Sequence, residues 1–314
     1  MMKRFSLLLL ALTYQLPAQA LPPEGMVFEL KSSVVKIHVV NEQGHHGVGS
    51  GVVVAKDHVA TNCHVVANAR GVRVSKFGEG HAPVALKADW KHDLCLLRMQ
   101  GLELPPVKLG STRDLQYAQS VFTISFPNNA RKPLATYGEV TALYPMDGAH
   151  IIRATADFRL GGSGGPLFDD SGTLVGLVTM KSPGRNAYYY NIPADWVKEL
   201  INQPEIAITT QKELPFWDAP EDQRPFFMRA LQPQQAGDWA ALEAICQSWV
   251  AAQPESAEAW YLLALAQHRQ NRPENALPSL EKSIAINQQH ADAKSLLGQI
   301  KDKIASSKCS ASSC

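Results

Sequence analysis

The chain has almost no net charge, few cysteines and, past its first dozen residues, no long apolar run. Thirty Lys and Arg stand against 29 Asp and Glu, a formal net charge of +1. That balance leaves no cationic surplus for a nucleic-acid backbone or an anionic membrane surface, and neither is expected as a partner. A bilayer span takes about 20 apolar residues, so no membrane span is expected in the mature chain. The five cysteines are an odd number, which leaves at least one thiol unpaired. Metal-ligand spacing is also missing. His45 and His46 sit side by side next to Gly44 and Gly47, but zinc needs three or four ligands, so neither a metal nor a cofactor is expected. What remains is a chain of 314 residues, 45% hydrophobic, long enough for two ordinary domains with a sizeable core.

The N-terminus reads as a targeting signal over residues 1–20. Lys3 and Arg4 precede a short apolar stretch from Phe5 to Leu12, and Ala18-Gln19-Ala20 supplies small residues for cleavage. Removing it takes away two cations and no acids, so the charge falls from +1 to −1. The product is expected to be exported, to the periplasm of a Gram-negative organism and otherwise secreted. Exported chains tolerate disulfides.

The remainder has two grammars. Residues 24–203 contain β-branched runs such as "SVVKIHVV", "SGVVVA", "HIIRATA" and "TLVGLVTM", separated by Gly, Pro, Asn and Asp turns. Short strands at close spacing point to an all-β barrel or sandwich. Residues 204–221 are rich in Pro and acids and read as a linker. From 222 to 308 the composition turns to Ala, Leu, Glu and Gln at helical spacing. Within it Ala257, Ala259 and Leu263 recur as Ala291, Ala293 and Leu297, each 34 residues later. That period, with Trp260, Ala264, Ala276 and Leu280, resembles about two tetratricopeptide repeats and a final helix. A plain helical bundle is the other reading. Residues 309–314 form a polar tail.

The chemistry centres on "RLGGSGGPLF", residues 159–168, where Gly-x-Ser-x-Gly surrounds Ser163. One possibility is the nucleophile elbow of an α/β-hydrolase, which requires Ser, acid and His in that order. No histidine follows Ser163 before His268, in the helical half, and that absence excludes the elbow. The order His, Asp, Ser is present instead: His64 in "VATNCHVV", Asp93 in "WKHDLCLLR", then Ser163. Asp57, Asp89 and Asp114 lack the apolar surroundings of Asp93. His38, His58, His81, His92 and His150 read as ordinary strand or turn residues.

"SVVKI", "GSGVVVA", "TNCHVV", "HDLCLLR", "GGSGGPLF" and "YYNIPADWV" resemble, in order and spacing, the landmarks of the trypsin-like serine peptidases, specifically the HtrA branch. The resemblance covers residues 30–200. It implies a chymotrypsin-like double β-barrel peptidase domain, here followed by the helical, tetratricopeptide-like region in place of that branch's usual PDZ module. It implies a triad of His64, Asp93 and Ser163, with the backbone N–H groups of Gly161 and Ser163 as oxyanion hole. Gly162, Gly164 and Gly165 are expected to adopt backbone angles closed to other residues. Gly162 stands where trypsin-type zymogens carry an Asp, so activation by N-terminal cleavage is not expected.

Primary specificity stays open. Asp157, six residues before Ser163, hints at cleavage after Lys or Arg, whereas the HtrA resemblance and a pocket narrowed by Tyr188 or Tyr190 favour small or apolar residues. Thr179, Met180 and Lys181 are expected to pair with an extended protein or peptide substrate. Cys63 next to His64 and Cys95 near Asp93 make a disulfide plausible, because two residues apart on a strand share a face. No pairing can be read for Cys246, Cys309 and Cys314. The helices are expected to fold separately and recruit substrate or a protein partner in a groove. With the triad inside residues 64–163, a chain ending near residue 205 is expected to keep its chemistry. The competing reading is a non-catalytic protein-binding scaffold, against which the intact triad counts.

Overall fold

The structure, a computed structural model, describes residues 22–183, 187–208 and 213–311. The expected targeting signal and the end of the polar tail lie outside them. A short helix α1 (Glu24–Leu30) leads into strands β1 (Val34–Asn41), β2 (His46–Ala55) and β3 (His58–Asn62). Helix α2 (Cys63–Val66) follows, then β4 (Ala69–Lys76), β5 (Glu79–His81), β6 (Ala85–Asp89) and β7 (Leu94–Arg98). These strands form one sheet in the order β5-β4-β1-β2-β3-β7-β6. Strands β8 (Ser120–Ser125), β9 (Leu134–Met146), β10 (Ala149–Ala154), β11 (Pro166–Asp169), β12 (Leu174–Lys181) and β13 (Tyr189–Pro193) close a barrel in the order β10-β13-β12-β11-β8-β9.

The unbroken apolar run of β7 has a simple cause. Successive side chains point to opposite faces: Cys95 and Leu97 enter the core of the first sheet with Ile37, Val53 and Val59. Leu94 and Leu96 enter a second core that contains Phe122 and Ile124 of the closed barrel. A strand buried on both faces needs no polar alternation.

After α3 (Asp195–Leu200) come α4 (Phe226–Arg229), α5 (Leu231–Ala236), α6 (Trp239–Ala252), α7 (Ala257–Arg269), α8 (Pro273–Ile286) and α9 (Ala291–Ala311). Local signals set their limits. Asp238 and Ser256 cap α6 and α7 by accepting from Ala241 N and Ala259 N, and Gly237 ends α5 with a left-handed φ of 73°. None of the described helices is long and apolar enough to cross a membrane.

Residues of 204–221, the stretch read as a linker, bind back to the first sheet and to the Asp93 turn. Ile206 exchanges two backbone hydrogen bonds with Leu86, at 2.7 and 2.9 Å, and Phe216 N–H donates to Lys91 C=O at 2.8 Å. The helices are docked as well. Phe227 of α4 stacks on Tyr144 of β9 with centroids 4.4 Å apart, and one apolar cluster runs from Phe122 through Tyr144, Phe216 and Trp249 to Leu280. Within this interface Arg153 of β10 pairs with Glu258 of α7 at 3.3 Å, their side chains only 7% and 5% exposed.

Candidate active site

Pairing of β3 with β7 brings His64 and Asp93 together. Thr61 lies opposite Cys95, Asn62 opposite Leu94, and Cys63 N–H continues the register by donating to Asp93 C=O at 3.1 Å. Asp93 itself precedes β7, in a turn with φ 58°, a region Asp enters more readily than most residues. The Cys63–Cys95 disulfide is present, with Cα atoms 4.9 Å apart. Its cause is this strand register rather than a strand face shared by Asp93 and Cys95.

Asp93 is 1% exposed. Its Oδ1 accepts from His64 N–H at 2.8 Å and its Oδ2 from His64 Nδ1 at 2.6 Å. A carboxylate only accepts, so Nδ1 carries the ring proton and the neutral ring keeps its lone pair on Nε2. Asn62 Nδ2 donates both to Asp93 C=O (3.1 Å) and to Thr179 Oγ1 (2.9 Å), tying the turn to β12.

The Ser163 loop is shaped by close packing. Gly161 and Gly164 have φ of 90° and 80°. A Cβ on Gly161 would meet Phe126 O at 2.6 Å, and one on Gly164 would collide with Ser50 O and Thr61 Oγ1. Gly162 and Gly165 are corrected: neither has a positive φ, and each is small because a Cβ would meet a carbonyl at 2.9 Å. Ser50 of β2 clamps the loop. Its N–H donates to Ser163 C=O (2.8 Å) and its Oγ donates to Gly161 C=O (2.8 Å) while accepting from Phe126 N–H (2.9 Å). Leu160 C=O accepts from Asn128 N–H at 2.6 Å. Across a trans peptide the Gly161 N–H points the opposite way. Among the described residues nothing accepts from Gly161 N–H or Ser163 N–H.

His64 and Ser163 line one cleft of about 370 Å³, with Phe158, Thr179, Met180 and Lys181 on its wall and Leu160, 87% exposed, at its lip. Asp157 and Tyr188 are not among its lining residues. Asp157 C=O accepts from Thr136 Oγ1 at 2.5 Å, and the Tyr188 ring lies 4.9 Å from the Arg153 guanidinium. A larger cavity of about 670 Å³ lies between the β9–β10 turn and residues 213–229 and contains none of the three triad candidates.

Two residues were missed in the sequence. Trp217, in the supposed linker, lines the cleft, meets the His64 ring edge-to-face with centroids 5.6 Å apart, and donates from Nε1 to Asp93 Oδ2 at 3.1 Å. His92 is no ordinary turn residue. Its Nδ1 faces Asp89 Oδ2 at 2.6 Å, its Nε2 faces Asp147 Oδ2 at 2.8 Å, and it stacks on Trp196. Burial alone would lower its pKa, but the two carboxylates together raise it.

With this geometry in place, residues 49–177 match the family described as trypsin-like peptidase domain. Over that stretch the chain is similar to the trypsin-like peptidases. Serine protease HTRA2, mitochondrial, of Bos taurus is 31% identical over 172 residues, 50% of this chain and 36% of that one. Protease Do-like 5, chloroplastic, of Arabidopsis thaliana is 34% identical over 187 residues, 49% of this chain and 56% of that one. A probable periplasmic serine endoprotease DegP-like of Pseudomonas putida (strain W619) is 34% identical over 166 residues, 50% of this chain and 34% of that one. The chain thus spans between about a third and just over half of the length of these relatives. Among solved structures, the active form of the Rv3671c protease from M. tuberculosis is similar with a TM-score of 0.54 at 22% identity, covering 66% of this chain and all of that one. The HtrA-type protease AlgW with tripeptide has a TM-score of 0.50 at 24% identity, over 56% of this chain and 61% of that one. The fold is the chymotrypsin-like double-barrel peptidase fold with a helical C-terminal region.

Proposed function

We propose that the protein is an exported serine endopeptidase that cleaves proteins through an acyl-enzyme. The observation that carries the reading is the buried Asp93 carboxylate bonded to His64 Nδ1 at 2.6 Å on a cleft shared with Ser163. Ser163 Oγ attacks the scissile carbonyl while His64 Nε2 takes its proton and later gives it to the leaving amine. Asp93 keeps the ring in the required tautomer and stabilises the imidazolium. Gly161 N–H and Ser163 N–H receive the developing oxyanion, one such donor contributing roughly 3 to 4 kcal/mol.

An extended substrate pairs with residues 179–181. On one side Tyr189 and Tyr190 already pair with Lys181 and Met180. On the other, β11 reaches β12 only through residues 174–177, which leaves an edge for β-augmentation. Phe158 and Met180 on the cleft wall favour a small or apolar residue over Lys or Arg. Export is supported by the basic-apolar N-terminus and the Cys63–Cys95 disulfide, and the named Pseudomonas relative is described as periplasmic. The helices recruit substrate or a partner in tetratricopeptide fashion, a role supported by α7 and α9 starting at Ala257 and Ala291.

A fluorophosphonate probe tests the reading. The intact chain is expected to be labelled and to degrade casein, and Ser163→Ala is expected to fold, escape labelling and lose at least about 10³-fold of its activity. Undiminished casein cleavage by Ser163→Ala would overturn the assignment.

A further inference from the structure

Asp93 Oδ2 has two donors, and they come from different parts of the chain. His64 Nδ1 approaches at 2.6 Å and Trp217 Nε1 at 3.1 Å. The nearest hydroxyl on β12 is engaged elsewhere: Thr179 Oγ1 donates to Leu177 C=O and accepts from Asn62. The indole therefore supplies the carboxylate's remaining side-chain hydrogen bond. It also closes one side of the imidazole, with ring planes 89° apart. A buried carboxylate with several N–H donors is held in one orientation.

Trp217 lies beyond both β-sheets, and its position is set by its neighbours. Phe216 is buried and donates its N–H to Lys91, two residues before Asp93. Its ring lies 6.5 Å from Phe227 of α4, which stacks on Tyr144 of the closed barrel. Docking of the helices thus traps the segment that carries the indole.

We propose that Trp217 is a positioning residue: its indole N–H shares the Asp93 carboxylate with His64, and the segment docked between barrel and helices makes the geometry of the His–Asp pair depend on that docking. This rests on the peptidase reading. Because the same ring lines the cleft, an occupant that displaces it also removes a donor from Asp93. The helical region then acts on the chemistry through one side chain, apart from any recruiting role.

The test uses the full chain with Trp217→Phe, which keeps a packed ring but deletes the N–H, and Trp217→Ala, which deletes both. Fluorophosphonate labelling is followed against pH, and the carboxylate-bound Nδ1 proton of His64 by its downfield NMR signal. Without the indole donor, Asp93 concentrates its charge on the imidazolium. In Trp217→Phe the acid limb of the labelling profile should move to higher pH, the proton signal should shift, and labelling at neutral pH should slow by about tenfold, the scale of one hydrogen bond to a charged group. Trp217→Ala should show the same shifts with a further loss from the opened cleft. An unchanged profile and unchanged proton signal in Trp217→Phe would overturn the proposal, even if Trp217→Ala were slow, since the ring would then be only a wall. If the wild type were not labelled at Ser163 while the proton signal still moved in Trp217→Phe, the peptidase reading would fail and the positioning of Asp93 by Trp217 would stand.

Discussion

Residues 159–165 and residues 213–220 both supply walls of the cleft at His64, but they are held in different ways. The glycine loop is fixed from inside the double barrel by main-chain partners: Ser50, Asn128 and Val178 all bond to its backbone. The later segment has one backbone bond to the Asp93 loop, from Phe216 to Lys91, one side-chain bond, from Trp217 to Asp93, and ring packing of Phe216 against Phe227 of α4. A backbone clamp survives most side-chain changes, whereas a packed aromatic stays in place only while its partners do. The cleft therefore has one wall built into the barrels and one wall lent by the helices.

The largest break of this comparison is a chain ending at residue 205. It keeps the glycine loop, His64 and Asp93, but loses Trp217 and exposes Tyr144 and Arg153, which are buried beneath the helices. We expect the soluble fraction to be labelled by a fluorophosphonate at least about tenfold more slowly than the full chain, with a lower thermal midpoint. Labelling at the full rate would mean that the barrels alone make the complete site.

Glu258→Gln is a smaller break, aimed at the docking itself. It leaves the Arg153 guanidinium buried with Thr141 and Tyr144 as its remaining partners. Removing one charge of a buried pair costs about 3 to 5 kcal/mol. Urea unfolding should show that loss. If the helices are docked as tightly as their shared core suggests, wild type unfolds in one transition, and the variant separates into two as the helices come away first. An unchanged midpoint would place the stability of the interface in the aromatic contacts alone.

The same contrast governs how far the sequence could be read. Ser163, His64 and Asp93 were legible because each is marked locally, by glycines or by apolar strand residues, and their order excluded the α/β-hydrolase. The helix pairs were legible through the 34-residue recurrence of Ala257 at Ala291. Trp217 was not legible, since it stands in "PFWDAPEDQRP", whose prolines and acids suggest a solvated tether. The nearby ring of Phe227, stacked on the distant Tyr144, and bonds to Lys91 and Asp93 turn that stretch inward. Asp157 was misleading for a related reason. Its distance from Ser163 marks a position along the chain, but the path of the loop brings Phe158 to the wall instead. Ser50 could have been suspected from "GSGVVVA", whose small residues permit close approach by another segment.

The smallest effect sharpens the comparison from the opposite side of the Asp93 loop. His92, adjacent to Asp93, bridges Asp89 and Asp147, and Lys91 also reaches Asp147 at 2.7 Å. Here the loop is tied to the β9–β10 turn by charge, not by a packed ring. Hydrogen bonds from Lys91 and His92 lower the Asp147 pKa, and the two carboxylates raise that of His92 despite its burial. A raised folded-state pKa stabilises the fold fully below the unfolded value, about 6.5 for histidine, and that contribution is lost as pH climbs through the raised value. The lowered pKa of Asp147 works in the other direction. Its contribution is present above the ordinary carboxylate value of about 4 and disappears as pH falls through the lowered one. Both therefore act together between about pH 4 and 6.5. Asp147 is 45% exposed, so water screens the bridge and its worth is about 0.5 kcal/mol. His92→Gln should lower the unfolding midpoint most near pH 5, with the difference from wild type shrinking as pH rises past 7. The fluorophosphonate rate at neutral pH should change far less than in Trp217→Phe, because His92 bonds to neither His64 nor Asp93 side chains. A midpoint difference that stayed constant from pH 5 to 9 would show that His92 acts through its stacking on Trp196 rather than through its charge.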